Sequence, residues 1–411
     1  MASDRQGRRG GGGFGHLAWG NLFAQSAEQI ALAAAPLVAV LALDASVAET
    51  GSLQTGLTLP FLLFAIPAGV LADRLSRRSL MVGAEALRLV SLVAILALFA
   101  LDALTWPLLA LLGFIGVCGT VVFTVAAPAM VPALVPAARL AYANSRIELA
   151  RTIAFTAGPA IAGAMVGWAG GDMAFALAAA LSACAVVALA GIREPGRPPA
   201  ARRRILVELR EGAGFVFRHR LLAPVFVTQF VFGVSFYMIL AIFVPYAVHD
   251  MGMSATGTGV TLAMLGAGMV VGALLAPRIM GRVAFGRVIA TGPVSGLAAS
   301  MLIASTIWNG SGIVAGLGFF LLGAGPILWI ISTTTLRQAV TPDRLLGRAS
   351  AINVLAYGAR PIGAGLGALL GGLYGADACL LAAVLIFAAQ AAIILASPAV
   401  GLTEQPASAG A

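Results

Sequence analysis

Three polar residues recur along one otherwise apolar stretch near the start of the chain. Asn21, Gln25 and Glu28 are spaced at i, i+4 and i+7, which places them on one face of a helix. A carboxylate desolvated in such surroundings suits a proton carrier, because burial penalises the charged form. We therefore predict that this face lines a cavity and that Glu28 carries a proton or contacts a cation. The alternative is a structural Glu that joins this helix to a neighbouring one.

Two acid–base pairs have the i, i+3 spacing of neighbours on a helix. Glu85 precedes Arg88, and Glu148 precedes Arg151, by three residues each, so each pair can be satisfied within its own helix. We expect these pairs to stabilise packing near the cytoplasmic side. A charge relay, or contact of an arginine with an anionic substrate, is the alternative role.

Arg360 differs from these arginines because no acidic residue lies three or four positions from it. A guanidinium inside an apolar helix should face a cavity, a cluster of carbonyl groups or an acid from another helix. A role in substrate binding or gating and a structural role are both open for this residue.

The elements that must hold these residues are long and apolar. Of the 411 residues, 60% are hydrophobic and 10% are charged, whereas soluble domains contain about 25% charged residues. A membrane-spanning helix needs about 20 mostly apolar residues. Twelve segments satisfy this requirement, at 17–43, 53–72, 79–101, 106–127, 144–168, 173–192, 221–248, 256–277, 286–308, 311–335, 349–373 and 376–397. The predicted fold class is an all-α polytopic membrane protein with twelve transmembrane helices.

The placement of basic residues orients these segments. All 25 basic residues are Arg, and Arg is retained in cytoplasmic loops. Every second loop lacks Arg, and its charged residues are acidic, whereas the intervening loops hold nearly all the arginines. The acidic loops contain Asp44, Glu49, Asp102, Asp172, Asp250 and Asp377. Both termini are therefore predicted on the cytoplasmic side. This asymmetry explains the net charge of +9 better than nucleic-acid binding does.

One long polar connection, 193–220, divides the twelve segments into six plus six. It opens with Pro and Gly and continues with apolar residues among Arg and Glu, which predicts a linker followed by an interfacial amphipathic helix. We predict a disordered cytoplasmic tail at 1–16, six-helix bundles at 17–192 and 221–398, and a second cytoplasmic tail at 399–411.

The two halves also resemble each other in sequence. At a shift of 209 positions, Asn144, Arg151, Gly158 and Gly163 match Asn353, Arg360, Gly367 and Gly372, and at a shift of 204 positions Gln25 matches Gln229. Matches in the same order with nearly constant shifts favour two parallel six-helix pseudo-repeats. Transporters of this architecture bind their substrate near the bilayer midplane, between the repeats.

The segment GVLADRLSRR (69–78) resembles the loop 2–3 signature of the major facilitator superfamily, with Ser76 in place of the usual second Gly. The matching residues are Gly69, Leu71, Asp73, Arg74, Arg77 and Arg78. An Asp at the end of a helix can accept hydrogen bonds from an Arg or from a helix N-terminus. The resemblance implies that this cluster latches the two halves together on the cytoplasmic side. Simple anchoring of the loop at the headgroups is the alternative.

Two further loops resemble one branch of that superfamily, which holds the enterobactin exporter and the macrolide efflux permeases. They are PAMVPALVPAARLAYAN (128–144) and TPDRLLGRAS (341–350). The resemblance implies a substrate cavity lined by the first, fourth, seventh and tenth segments. Besides the residues of the first segment, the cavity would include Thr120, Phe123, Thr124, Gln229, Phe236, Tyr237, Trp329, Ser332 and Thr333. For the aromatic residues, packing is the alternative role.

This resemblance implies a monomeric transporter of the bacterial inner membrane that exports amphipathic small molecules, such as drugs, macrolides or siderophore-like compounds, by alternating access. Glu28, and the absence of G-x-x-x-x-G-K-[ST] from the sequence, favour a proton gradient over ATP as the driving force. The expected partners are the small-molecule substrate, protons and the lipid bilayer, without a cofactor or nucleic acid. The alternatives are a facilitator or importer of a small anion, and a lipid or lysolipid flippase.

An enzyme is disfavoured by the sequence. Cys118, Cys184 and Cys379 all lie in apolar segments, and neither a catalytic constellation nor a metal-ligand spacing is recognisable. We therefore predict no catalytic residues and no metal site.

Overall fold

The computed structural model describes residues 2–136, 139–194, 205–342, 345, 348–349, 352 and 356–406, without the side chains of 2–12, 70, 72–73, 141 and 205–209. All extended regular elements in these ranges are helices. They are α1 (Ala2–Ala42), α2 (Val47–Arg74), α3 (Arg77–Ala100), α4 (Trp106–Leu134), α5 (Leu140–Ala169), α6 (Gly171–Ala190), α7 (Ile205–Arg218), α8 (Leu222–Pro245), α9 (Ala255–Met280), α10 (Phe285–Asn309), α11 (Gly312–Val340) and α12 (Ala359–Leu395).

Eleven of these described helices, all except α7, are long and apolar enough to cross a membrane. The last of them, α12, contains a break at Gly375, where φ is 85° and ψ is 168°. Glycine adopts such a positive φ without steric cost, so a residue of this kind can separate two helical segments without a loop. The break lies between the predicted segments 349–373 and 376–397. The expected twelve-helix, all-α membrane fold is thereby confirmed.

The described residues form two compact units. Unit 1 comprises Met1–Ala45, Gly56–Ala201 and Ser254–Gly259, and unit 2 comprises Ser46–Thr55, Arg202–Met253 and Val260–Ala411. In unit 1, α1 packs against α5 and α6, and α3 packs against α4 and α6. In unit 2, α8 packs against α12, and α10 packs against α11 and α12.

The start of α1 differs from the disordered tail expected at 1–16. The helix begins at Ala2, and Phe14 packs against a buried apolar cluster that includes Leu17 and Met130. This packing explains why residues 13–16 continue the helix although their composition is rich in Gly. The other predicted domain boundaries stay predictions.

Close helix crossings position the polar groups of unit 1. At Gly119 in α4, a Cβ atom would lie 2.4 Å from the backbone oxygen of Ala84 in α3. Only a residue without a side chain permits this approach, which brings the adjacent Thr120 next to the charged residues of α3. A comparable crossing in unit 2 occurs at Gly363, where a Cβ atom would lie 2.2 Å from the backbone oxygen of Val234.

Candidate functional site

A buried arginine in unit 1 is bound by two carboxylates. The Nη1 atom of Arg88 lies 2.5 Å from Oε1 of Glu85, and its Nη2 atom lies 3.4 Å from Oε2 of Glu28. The predicted i, i+3 contact between Glu85 and Arg88 is therefore present. The contact with Glu28 joins α1 to α3, and helical spacing alone does not pair these two residues.

Further hydrogen bonds fix the Arg88 side chain. Its Nη2 donates to Oγ1 of Thr120 at 2.6 Å, and its Nη1 donates to the backbone oxygen of Ala24 at 3.1 Å. Ser182 of α6 donates to Oε2 of Glu85 at 3.1 Å. Four helices of unit 1, namely α1, α3, α4 and α6, thus supply one polar cluster.

The two carboxylates of this cluster differ in their surroundings. The Glu85 side chain is 0% exposed, whereas the Glu28 side chain is 11% exposed. Glu28 and Arg88 also line a cavity of about 40 Å³, whose other walls include Thr120, Ser91 and mainly apolar side chains. A cavity of this size has room for about one to three water molecules. Glu28, and not the enclosed Glu85, therefore has space beside it for a water molecule that can donate or accept a proton.

Asn21 and Gln25 do not line this cavity with Glu28. Asn21 is buried and donates from Nδ2 to the backbone oxygen of Ile147 at 3.3 Å, which ties α1 to α5. Gln25 is half-buried. The polar residues of α1 therefore make at least two separate contacts, whereas their spacing predicted that they line one cavity together.

The predicted cavity residues of α4 also have distinct surroundings. Phe123 belongs to the apolar core of unit 1, and Thr120 binds Arg88. Thr124 is exposed and donates to the backbone oxygen of Thr120 at 2.8 Å.

Arg360 of unit 2 lies against two tyrosines. Its Cζ atom is 4.3 Å from the ring centroid of Tyr357 and 5.4 Å from that of Tyr237. Tyr357 precedes Arg360 by three residues, so the first stacking contact follows from helical spacing. Tyr237 comes from α8 and joins it to the start of α12.

An aromatic run continues along α8 from this arginine. The rings of Tyr237 and Phe236 are 5.3 Å apart, those of Phe236 and Phe232 are 5.6 Å apart, and those of Phe232 and Trp329 are 5.5 Å apart. Trp329 is 2% exposed and packs in the core of unit 2. The structure thus gives Trp329 a packing position, while Phe236, Tyr237 and the nearby Gln229 are half-buried.

Two hydroxyls of α11 complete the predicted set. Ser332 and Thr333 are both buried and donate to the backbone oxygen of Trp329, at 3.1 Å and 2.7 Å. Their hydroxyl protons are therefore used within their own helix.

A third charged region lies at the start of α3, where Glu194 accepts three hydrogen bonds. Its donors are the hydroxyl of Ser76 at 2.7 Å, the backbone N–H of Arg78 at 3.0 Å and the backbone N–H of Arg77 at 3.1 Å. Partial burial raises the pKa of Glu194, but these hydrogen bonds and the charge of Arg77 outweigh it and hold the pKa below its ordinary value. The sequence signal for this contact was an acid two residues after the end of the sixth apolar segment, at 192.

The arginines of the loop signature bind backbone groups within unit 1. Arg77 donates to the oxygen of Ala129, and Arg78 donates to the oxygen of Ala190, each at 2.5 Å. Ala190 ends α6, where carbonyl groups lack helical partners. Gly69 and Arg74 lie in the last part of α2. The side chain of Asp73 lies outside the described residues, so a latch between the halves stays a prediction.

The second predicted ion pair is present at the surface of unit 1. Arg151 donates from Nε to both carboxylate oxygens of Glu148, at 3.1 Å and 3.0 Å. Both side chains are more than a third exposed. Arg88 and Arg151, for which contact with an anionic substrate was an alternative role, are therefore both engaged by acids.

A family model described as Major Facilitator Superfamily matches residues 17–368, most of the chain. The chain belongs to the major facilitator superfamily. This family and the eleven long apolar helices of the described residues support a multi-pass membrane protein with a transporter fold. The resemblance noted in the loop after α2 is therefore confirmed for the superfamily, while the drug and siderophore exporter branch stays a prediction.

A curated relative shares part of the chain. It is described as an uncharacterized MFS-type transporter, y4rN, of Sinorhizobium fredii, and it is 30% identical over 230 residues, which are 55% of this chain and 55% of that protein. The match thus spans about half the length of the relative.

Solved structures of transporters share the fold. A bacterial homolog of the human lysosomal transporter Spinster, in an inward-facing and unoccupied conformation, has a TM-score of 0.74 at 15% identity, covering 94% of this chain and 97% of that one. A D-xylose-proton symporter has a TM-score of 0.69 at 16% identity, with 94% and 97% covered. At such identities the likeness shows the fold alone.

Proposed function

We propose that this superfamily member is a proton-coupled exporter of amphipathic small molecules and that Glu28 carries the coupled proton. One observation carries the proposal: the buried cluster of unit 1 places two carboxylates against a single guanidinium, next to a small cavity.

The charge balance of this cluster favours a proton on one carboxylate. With Glu28, Glu85 and Arg88 all ionised, the cluster would have a net charge of −1, and an unbalanced buried charge is costly inside a membrane protein. Uptake of one proton neutralises the cluster. An arginine stays protonated in proteins, so the exchangeable proton belongs to a carboxylate.

Glu28 is the better candidate for this exchange than Glu85. Its contact with Arg88 is 0.9 Å longer than that of Glu85, from 3.4 Å and 2.5 Å. Glu85 is enclosed and receives an additional hydrogen bond from Ser182. Glu28 borders the cavity, from which water can deliver a proton.

Protonation of Glu28 would also weaken a tie between two helices. The contact between Glu28 and Arg88 joins α1 to α3, and a neutral carboxyl attracts a guanidinium less strongly than a carboxylate does. A change in the protonation of Glu28 can therefore change how strongly α1 is held against α3. Coupling requires such a difference, because a proton shifts a conformational equilibrium only if it interacts differently with the two states.

The substrate class and the direction of transport are proposed from the sequence. The loops 128–144 and 341–350 resemble those of drug and siderophore exporters, and the distribution of Arg supports cytoplasmic termini in a bacterial inner membrane. The aromatic residues Phe232, Phe236 and Tyr237 of α8 offer a surface suited to an apolar substrate body.

The test is efflux of tetramethylrhodamine methyl ester from proteoliposomes under an imposed pH gradient, with the membrane potential clamped by potassium and valinomycin. We expect efflux by the parent to collapse when the gradient is abolished. Glu28→Gln should bind dye but lose gradient-driven efflux, because the amide cannot carry a proton. Glu148→Gln is the matched control, since Glu148 is an exposed carboxylate of the same unit that also pairs with an Arg.

Two results would contradict the proposal. Efflux by Glu28→Gln that equals the parent would make Glu28 a structural tie between α1 and α3. Dye movement by the parent that ignores the pH gradient would favour a facilitator or a flippase instead.

A further inference from the structure

The two faces of helix α7 have opposite character. On one face, Val216 is buried in an apolar cluster with Leu222 of α8. On the other face, Arg210, Gly214 and Arg218 recur at i, i+4 and i+8, and all three are exposed. The apolar face of this amphipathic helix is therefore covered by unit 2, whereas its basic face lies at the surface.

The exposed side of α7 is strongly basic. The sequence over 202–220 contains six arginines and two glutamates, which gives a net charge of +4. In the part of the chain that the structure describes, no carboxylate forms an ion pair with Arg210 or Arg218. A further arginine, Arg348, lies beside the helix and pairs with Glu211. Clusters of arginine on an amphipathic helix attract phosphate groups.

These arginines border an open groove at the surface of unit 2. The groove has a volume of about 1460 Å³, and its lining includes Arg210, Gly214, Arg218 and Arg348. At Gly214, between the two arginines of α7, no described atom lies within 4 Å of the position that a Cβ atom would take. Pockets for small molecules have volumes of about 300–1,000 Å³. The larger, open groove is suited to a headgroup at a surface.

The connection between α7 and the next long helix is short and fixed. Helix α7 ends at Arg218, and α8 begins at Leu222. Between them, Nδ1 of His219 accepts hydrogen bonds from the backbone N–H groups of Leu221 and Leu222, at 3.2 Å and 3.4 Å. Because α8 is long and apolar enough to cross a membrane, the end of α7 is held where α8 enters the bilayer.

An exposed aromatic ring lies beside the groove at this level. Phe217 also lines the groove, is 51% exposed, and has its ring 5.0 Å from that of Phe226, near the start of α8. Its neighbours Arg218 and Arg220 are exposed. In helices that lie in the membrane interface, Phe contacts the acyl chains while Arg contacts the headgroups. A bilayer that contains anionic lipids has the charge complementary to this surface.

We propose that the groove between Arg210 and Arg218 binds the phosphate headgroup of an anionic phospholipid, with Phe217 against the acyl chains. A phosphate ester in solution has the same charge, but the position of the groove beside the start of α8 favours the lipid. This binding is separate from the proton coupling proposed above and does not depend on it.

The test is native mass spectrometry of the purified full-length protein, titrated in detergent with one phospholipid at a time. Dioleoyl phosphatidylglycerol is anionic, whereas dioleoyl phosphatidylcholine has the same acyl chains and no net charge. We expect the parent to bind the first molecule of the anionic lipid at least about tenfold more tightly. The double variant Arg210→Gln/Arg218→Gln should lose this preference, because it lacks both cations of the groove.

The matched control changes two other arginines of unit 2. Arg282 and Arg287 are exposed near the start of α10, so Arg282→Gln/Arg287→Gln removes the same charge from a different part of the surface. This variant should retain the preference of the parent for the anionic lipid.

A second variant leaves the charge unchanged. Gly214→Leu fills the groove between the arginines, and it should fold because the added side chain starts in open space and Leu favours a helix more than Gly does. We expect it to lose the preference. Gly83→Leu is its control, since Gly83 is an exposed residue of α3 whose Cβ position is equally open, and it should keep the preference.

Several results would overturn the lipid site. A parent that binds both lipids equally would do so, as would a preference that survives in Arg210→Gln/Arg218→Gln or in Gly214→Leu. Loss in Gly214→Leu supports the groove even where the double variant does not fold. Competition by glycerol 1-phosphate at the concentration of the lipid would identify a soluble phosphate ester as the ligand instead.

The controls separate this site from general surface charge and from proton coupling. An equal loss of preference in Arg282→Gln/Arg287→Gln would show that any arginine at the surface suffices, and would overturn the groove. Because no proton gradient is present, Glu28→Gln should show the parent preference, whether or not Glu28 couples transport to protons.

Discussion

Arg88 in unit 1 and Arg360 in unit 2 are both intramembrane arginines, yet their surroundings are opposite. Arg88 is enclosed by two carboxylates, a hydroxyl and a backbone carbonyl, so its charge is more than neutralised. Arg360 lies against the rings of Tyr357 and Tyr237, with its Cζ atom 4.3 Å and 5.4 Å from their centroids. The difference shows that the two halves of one fold can surround the same side chain with unlike partners: an ionic cluster around Arg88, and stacked aromatic rings beside Arg360.

The starts of α3 and α10 show a further difference between the two units. The first two N–H groups of α3, at Arg77 and Arg78, donate to the carboxylate of Glu194. The first two N–H groups of α10, at Phe285 and Gly286, donate to backbone oxygens of the C-terminal segment. These acceptors are Thr403 at 3.3 Å and Leu402 at 2.7 Å. In unit 1 the chain after α6 accepts hydrogen bonds from the start of α3, and in unit 2 the chain after α12 accepts them from the start of α10. The acceptor is a titratable side chain in unit 1 and the backbone in unit 2.

Removal of each arginine should give the largest contrast between the units. We expect Arg88→Leu to lower the free energy of unfolding by about 3–5 kcal/mol, because it leaves two buried carboxylates without their cation. For Arg360→Leu we expect a smaller loss, of about 0.5–2 kcal/mol for the contacts with the Tyr357 and Tyr237 rings. Thermal and SDS-induced unfolding of the purified variants measure the difference. Equal losses would refute the distinction drawn between the two sites.

An added methyl group at the α3–α4 crossing should have an intermediate effect. We expect Gly119→Ala to lower the free energy of unfolding by about 1–3 kcal/mol, since its Cβ would lie 2.4 Å from a backbone oxygen that cannot rotate away. Gly363→Ala tests the corresponding kind of crossing in unit 2, where the distance is 2.2 Å.

Gly83→Ala is the matched control for Gly119→Ala. Gly83 lies in α3, and among the described residues no neighbouring atom lies within 4 Å of the position that a Cβ atom would take there. Alanine should therefore stabilise the helix by about 0.5–1 kcal/mol. If Gly119→Ala and Gly83→Ala unfold alike, the crossing does not determine the position of Thr120.

Replacement of Glu194, which accepts hydrogen bonds from the start of α3, should have the smallest effect on stability. This effect concerns unit 1 alone. The pKa of Glu194 is lower in the folded protein than its ordinary value of 4.5. Its contribution to stability is therefore fully present above that value and is lost as the pH falls through the lowered pKa. At about pH 7, Glu194→Gln should be less stable than the parent by less than about 1 kcal/mol, because the group is only partly buried and solvent screens its interactions.

The difference between Glu194→Gln and the parent should close as the medium becomes more acidic. Melting temperatures of the two proteins, measured from neutral pH down to below the ordinary pKa of Glu, provide the check. A difference that stays constant across this range would show that the carboxylate charge is not what stabilises the start of α3.

The sequence predicted those features that depend on positions close together in the chain. The apolar segments follow from hydropathy, and the pairs Glu85–Arg88 and Glu148–Arg151 follow from helical spacing, which fixes residues three apart. The contact between Glu28 and Arg88 was not predicted, because it joins positions 60 residues apart. Helical spacing gives the face on which a residue lies but does not say which neighbour covers that face.

The same limit explains the other differences. Asn21 shares a face with Glu28, yet the carbonyl of Ile147 in α5 takes its side-chain amide. Trp329 lies on a segment expected to line a cavity, but Gly292 allows α10 to approach it closely, so it is buried. Such contacts depend on where small residues let helices meet, and one sequence alone does not specify those crossings.

The backbone contacts of Leu402 and Thr403 with the start of α10 have a practical consequence for protein engineering. A purification tag or fluorescent reporter that replaces the chain after Ser397 would leave the N–H groups of Phe285 and Gly286 without their acceptors. It would also remove Ala399 from the core of unit 2. A fusion placed after Pro406 keeps both contacts, so the protein used in the transport and binding experiments should extend at least to that residue.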